Sequence, residues 1–231
     1  MIAGAVVLVT GANGGLGVEF VQQALDRGAA KVYATARTPR TWSDERVVPL
    51  ALDVTDEASV AEVAGVAADT TIVINNAGIG GDAPIATGDI ADIRATFETN
   101  VFGAINVARA FAPVLARNGG GALVDVHSLL SWLGVAGAYS ASKAAFWSIT
   151  NSLRLELAPA GTHVMGLHLG YTDTPMVTNV AAPKNDPADV VRQAYDGLEL
   201  GEYEVLADEA SARVKQGLAA PITALYPQLA G

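Results

Sequence analysis

The sequence predicts an α/β fold: one doubly wound, mostly parallel sheet with helices on both faces. Three observations carry this. Short valine-rich runs alternate with stretches of helical period along the chain. Most of those runs are apolar throughout, the pattern of strands buried on both faces. And a glycine-rich turn, Thr10-Gly11-Ala12-Asn13-Gly14-Gly15-Leu16-Gly17, joins the first run directly to the first helix. No internal repeat or linker divides the chain, so residues 1–231 are expected to form one domain.

Ala5 to Val9 reads as the first strand, and Val18, Phe20, Val21, Ala24 and Leu25 then recur at helical spacing until Gly28 stops the helix. Free N–H groups and the helix dipole at such a junction suit a pyrophosphate, and glycines let the backbone approach it. Lys31 to Arg37 reads as the second strand. An acid at its end would select NAD through the ribose 2′-hydroxyl, whereas a cation suits the 2′-phosphate of NADP. Ala36-Arg37 stands there, with no acid before Asp44, so Arg37 is assigned to that phosphate. Val47 to Val54 is a third strand ending on Asp53, followed by a helix from Thr55, a possible N-cap, to Ala68. Thr71 to Ile74 is the fourth strand, with Asn75-Asn76-Ala77-Gly78 as its turn. A long helix is expected from Ile90 to Arg117 and a fifth strand from Ala122 to Ser128. The next helix runs to about Ala158, and the sixth strand spans His163 to Leu169. Pro187 to Leu200 looks helical, and Tyr203 to Leu206 is a last short strand.

Composition narrows the function classes. The formal net charge is −10 without a basic stripe, which speaks against nucleic acid and anionic membrane as partners. No apolar run approaches the ~20 residues that span a bilayer. No Lys or Arg precedes Arg27, so no basic leader is expected. Zero cysteines exclude disulfides and thiol nucleophiles and fit a cytoplasmic protein. His163 and His168 lack metal-ligand spacing, and no metal is expected.

Tyr139-Ser-Ala-Ser-Lys143 carries the chemistry. Residues four apart on a helix lie ~40° from each other on one face. An ammonium beside a phenol favours the phenolate, so the pair is a tunable proton donor with a lowered tyrosine pKa.

Taken together, these segments resemble the short-chain dehydrogenase/reductase family, its shorter single-domain branch. The matching residues are T-G-x-x-x-G-x-G at Thr10 to Gly17, Asp53-Val54, N-N-A-G at Asn75 to Gly78, Asn100, Ser128 and Y-x-x-x-K at Tyr139 to Lys143. The resemblance covers nearly all the chain to Met176 and implies a Rossmann fold with strand order 3-2-1-4-5-6-7. It also implies a catalytic set of Asn100, Ser128, Tyr139 and Lys143. Tyr139 would be the acid in reduction, Lys143 would bond the nicotinamide ribose, Ser128 the substrate oxygen, and Asn100 a water. Ser131 competes with Ser128, which is preferred because it ends a strand. Gly11, Asn13, Gly15, Leu16 and Gly17 would line the cofactor phosphates and ribose. Asp53 and Val54 would contact adenine, and Asn75, Ala77 and Gly78 the adjacent ribose. Gly170 would approach the nicotinamide, with Thr172 beside it.

Two departures from the family stand out: a short Ser128–Tyr139 segment, and Leu169-Gly170 in place of Pro-Gly. The implied activity is NADP(H)-dependent interconversion of a ketone or aldehyde and its alcohol, of the carbonyl reductase or alcohol dehydrogenase type. Leu129, Leu130, Trp132, Leu133, Tyr171, Met176 and Val177 suggest a hydrophobic or aryl substrate. The alternatives are a nucleotide-binding regulator without turnover and a sugar-nucleotide epimerase or dehydratase, for which the C-terminal region is short. Apolar helices from Ile90 and Ser140, bearing Phe97, Phe102, Phe146, Trp147, Ile149 and Leu153, predict a homodimer or homotetramer.

Overall fold

A computed structural model describes residues 1–229. Seven strands form one sheet in the order β3-β2-β1-β4-β5-β6-β7, every neighbouring pair parallel. The strands are β1 (Val6–Thr10), β2 (Lys31–Ala36), β3 (Val47–Ala51), β4 (Ile72–Asn75), β5 (Gly121–Val126), β6 (Thr162–His168) and β7 (Glu204–Leu206). The interior strands β1, β2, β4, β5 and β6 are almost wholly buried, as their unbroken apolar runs require. β3 lies at an edge and alternates, with Pro49 exposed where no ladder hydrogen bond is lost.

Helices cover both faces. On one, α1 (Leu16–Asp26) and α6 (Pro187–Leu200) pack Phe20 edge-on against Tyr195, ring centres 5.6 Å apart. The buried Tyr195 hydroxyl donates to the Phe20 carbonyl at 2.8 Å, so this aromatic enters the core without an orphaned polar group. On the other, α2 (Glu57–Val66) and α4 (Ala104–Arg117) bury Val60, Val63, Phe111 and Leu115. α5 (Gly137–Leu157) lies along β5 and β6, and α7 (Glu209–Gly217) and α8 (Ile222–Leu225) follow β7.

Two expectations need correction. The expected helix from Ile90 to Arg117 is three pieces: α3 (Ile90–Phe97), a π-helical stretch at Glu98–Gly103, and α4. The wide turn leaves room for Asn100 to point inward and bond Ile79. The N-cap of α2 is Asp56, not Thr55, because Asp53 engages the Thr55 hydroxyl at 2.7 Å. α7 and α8 have no counterpart among the helices that the sequence predicts. Among the described residues, no helix is long and apolar enough to cross a membrane.

Candidate active site

The C-terminal ends of β1, β4, β5 and β6 border one long cleft, made of a cavity of about 450 Å³ that joins one of about 940 Å³. Parallel sheets concentrate ligand sites at these ends because the connections there open away from the strands.

The β1–α1 turn forms the floor. Gly11 and Gly15 adopt positive φ of 68° and 52°. No side chain caps the α1 N-terminus, so apart from the Gly17 amide, which donates to the Gly14 carbonyl at 3.1 Å, its first N–H groups remain available to an anion. Thr10 fixes the turn to β4: its hydroxyl donates to the Ile74 carbonyl and accepts from the Asn76 and Ala77 amides. Gly17 does not line the cleft. It is a packing glycine, since a Cβ there would lie 2.2 Å from the Gly11 carbonyl oxygen. The exposed turn and uncapped helix fit a dinucleotide pyrophosphate.

The smaller cavity is lined by Gly11, Asn13, Ala36, Arg37, Asp53, Val54, Ala77 and Gly78. Arg37 is exposed at its rim. Asn13 donates to the Thr38 carbonyl at 2.6 Å and accepts from the Arg40 amide, which ties the glycine turn to the arginine loop. Hydrogen bonds from Thr55, and secondarily the charge of Arg37, hold the Asp53 carboxyl below the usual range. Asn75 is a correction. Its side chain is buried and donates to the Ala104 carbonyl and to Asp125. Asn76, one residue on, faces the cleft instead.

In the larger cavity Ser128, Tyr139 and Lys143 share a wall. Ser128 lies two residues beyond β5, and its Oγ accepts from the Leu130 amide at 3.1 Å. Its proximity to Tyr139 acts to lower the tyrosine pKa. Ser131 is buried and lines neither cavity. Lys143 Nζ donates to the Val126 carbonyl at 2.9 Å and sits 5.9 Å from the centre of the Tyr139 ring. Asn100 accepts from the Ile79 amide and donates to the Ile79 carbonyl and Ser142. This pins the strand-end loop that carries Gly78 beside Lys143.

The expected lowering of the Tyr139 pKa by Lys143 is reversed. Burial pushes the phenol up to about 12, opposed by Ser128, while the ammonium is turned to the Val126 carbonyl. Burial likewise pushes Lys143 down to about 8, opposed by the charge of Asp125.

Gly170 and Thr172 line the opposite wall. The Gly170 amide donates to Asp208 at 2.6 Å, and Thr172 donates to the Gly170 carbonyl. Leu129, Leu130, Leu133, Tyr171, Met176 and Val177 line the cavity, but Trp132 does not. It stacks on His168 at 4.1 Å, away from the cleft. Sequence reasoning missed Ile79, Val135, Asn179 and Val180 among the lining residues, since none belongs to a motif. Among the described residues no cluster of His, Asp or Glu has metal-binding geometry.

The profile of the short chain dehydrogenase family matches residues 5–185, and the chain belongs to this family, the short-chain dehydrogenases/reductases. It is 36% identical over 197 residues to an NADPH-dependent 1-acyldihydroxyacetone phosphate reductase of Schizosaccharomyces pombe, a match covering 78% of this chain and 66% of that one. It is 31% identical to an uncharacterised oxidoreductase of Myxococcus xanthus, over 93% of this chain and 88% of the relative. The chain thus spans only about two thirds of the length of some curated relatives. A short chain dehydrogenase from Burkholderia cenocepacia, solved in complex with NADP, superposes with a TM-score of 0.93. It is 40% identical, with 99% of this chain and 98% of that one covered.

Proposed function

We propose that the protein is an NADP(H)-dependent oxidoreductase that interconverts an uncharged, apolar ketone or aldehyde and its alcohol. The observation that carries the reading is the convergence of Ser128, Tyr139 and Lys143 on one wall of a cleft that also reaches the uncapped α1 N-terminus. The nicotinamide, when bound, supplies the hydride. The α1 N-terminus would hold the pyrophosphate and Arg37 the 2′-phosphate, while Lys143 would donate to the nicotinamide ribose. Ser128 would donate a hydrogen bond to the substrate oxygen, and Tyr139 would deliver the proton. A tyrosine pKa near 12 suits reduction, because the phenol keeps its proton at neutral pH and the nascent alkoxide is a much stronger base.

The lining favours an uncharged substrate. The cavity's apolar lining includes Leu129, Leu130, Leu133, Val135, Met176, Val177 and Val180, and among the described residues Lys143 is its only cation. Asp82 at the edge would repel a phosphate. A substrate like that named for the fission yeast relative therefore fits poorly. A panel of neutral ketones and aldehydes against phosphorylated and carrier-linked analogues, with NADPH and NADH, tests the reading. Turnover confined to the anionic substrates would refute the substrate class. NADPH binding without any turnover would favour a nucleotide-binding regulator.

A further inference from the structure

His168 closes β6 and is wholly buried. Its ring stacks on Trp132 with centres 4.1 Å apart and lies 4.8 Å from the ring of His127. It lines neither cavity. Its Nδ1 is 3.3 Å from the carbonyl oxygen of Ser128. Its Nε2 faces Oε1 of Glu204 on β7 at 3.4 Å. That carboxylate already takes Lys215 of α7 at 2.7 Å and the Trp147 indole of α5 at 3.3 Å. An apolar side chain would fill the space between Trp132 and His127 without burying polar atoms, so packing alone does not call for a histidine.

We propose that His168 is a positioning residue for Ser128: its Nδ1–H holds the Ser128 carbonyl and so fixes where the Ser128 hydroxyl meets the substrate oxygen. The proposal rests on the role given to Ser128 in the preceding reading. A carbonyl oxygen only accepts, so this hydrogen bond requires the proton on Nδ1. Lys215 and Trp147 supply the donors that Glu204 needs, which leaves the ring proton to Ser128.

Ser128 needs such a hold because it lies past the paired part of β5. The β5–β6 register ends at Val126 and Leu167. The amides on either side of Ser128, those of His127 and Leu129, still bond the Leu167 and Leu169 carbonyls. The Ser128 carbonyl itself accepts from the Ser131 amide at 3.0 Å and from His168. The Ser131 bond lies within the same short turn and moves with it. His168 instead belongs to an interior strand, and its own carbonyl accepts from the Ala207 amide at 2.9 Å. Among the described residues it is therefore the tie from the Ser128 carbonyl to the sheet. A shift of that peptide carries Oγ with it, and a ~1 Å misplacement at a reacting centre can cost ~10²-fold in rate.

The test compares His168→Asn with His168→Leu in the full chain. The two side chains share a branched shape, but only asparagine keeps a donor where Nδ1 stands. With the best neutral ketone of the panel, kcat of His168→Asn is expected within about threefold of wild type, and that of His168→Leu at least about tenfold lower. NADPH affinity by fluorescence titration stays within about twofold in both, since His168 does not line the cleft. A merely structural role predicts the reverse order, because leucine suits a buried apolar site better than asparagine. Equal kcat in the two variants, or a faster leucine variant, overturns the proposal. If either variant fails to fold, proton–nitrogen correlation NMR on the histidine-labelled wild type decides by reading the tautomer. A protonated Nδ1 on His168 supports the hold on Ser128, and an unprotonated one overturns it. A wild type that reduces no carbonyl refutes the preceding reading, and the same NMR readout then decides whether His168 holds Ser128.

Discussion

Tyr139→Phe removes one hydroxyl and no packing. It should lower kcat by ~10²–10⁴ and leave NADPH affinity within about twofold, measured by steady-state kinetics and fluorescence titration. Arg37→Ala should weaken NADPH in kcat/KM by ~10–150-fold and spare NADH, since a hydrogen bond to a charged group is worth ~1.5–3 kcal/mol. Equal loss with both cofactors would place Arg37 outside the 2′-phosphate site. Residues whose chemistry demands a type at a spacing, such as Gly15, Ser128, Tyr139 and Lys143, were legible in sequence. Orientation was not. Asn75 and Asn76 are equivalent as letters, but strand alternation sends the first into the core and the second to the cleft. Trp132 reads as a pocket residue until its stack on His168 is seen. The tyrosine pKa failed for a related reason: burial and the direction of the lysine are three-dimensional facts.

At the scale of elements, the π-helical stretch depends on Asn100. Asn100→Ala leaves the Ile79 amide and carbonyl without their side-chain partners. It should destabilise the fold by about 1–3 kcal/mol in urea denaturation and lower kcat by disturbing the loop beside Lys143. A variant with unchanged stability would show that the wide turn is set by other contacts. Gly17→Ala forces α1 off the β1 turn, because its Cβ would meet the Gly11 carbonyl oxygen at 2.2 Å. Cofactor affinity should then fall with stability, as read by titration and melting. The strand–helix alternation was legible because each period is local. The π break was not, since it satisfies a hydrogen-bond demand from Ile79, a residue 21 positions away. α7 and α8 were not legible either, and Asp208 at the α7 N-cap explains their placement by holding Gly170, two residues beyond β6.

For the whole molecule, the buried charges link stability to pH. Asp125 has a folded pKa raised to about 6, so between its unfolded value and pH 6 the folded state binds the extra proton. Stability from this group is therefore present at low pH and lost as pH rises through 6. Asp125→Asn removes that dependence, so the variant should lose less stability than wild type between about pH 5 and about pH 8. Chemical denaturation at the two values checks the sign. Self-association is a further proposal. Phe102 is 51% exposed and Ile90 57% exposed along α3 and the π stretch, although Phe146 is buried against His127 in the protein's own core. Light scattering at micromolar concentration should give at least a dimer, and a monomeric mass would remove the proposal. The sheet order was legible only through the resemblance, since periodicity identifies strands but not their neighbours.

The central claim is that Tyr139 delivers a proton to a neutral carbonyl reduced by NADPH. Single-turnover oxidation of bound NADPH, followed for wild type and Tyr139→Phe with the best ketone of the panel, tests it most directly. The account predicts rapid oxidation by wild type and a rate at least ~10²-fold lower in the variant at equal cofactor occupancy. A variant that retains more than about a tenth of the wild-type rate would contradict it.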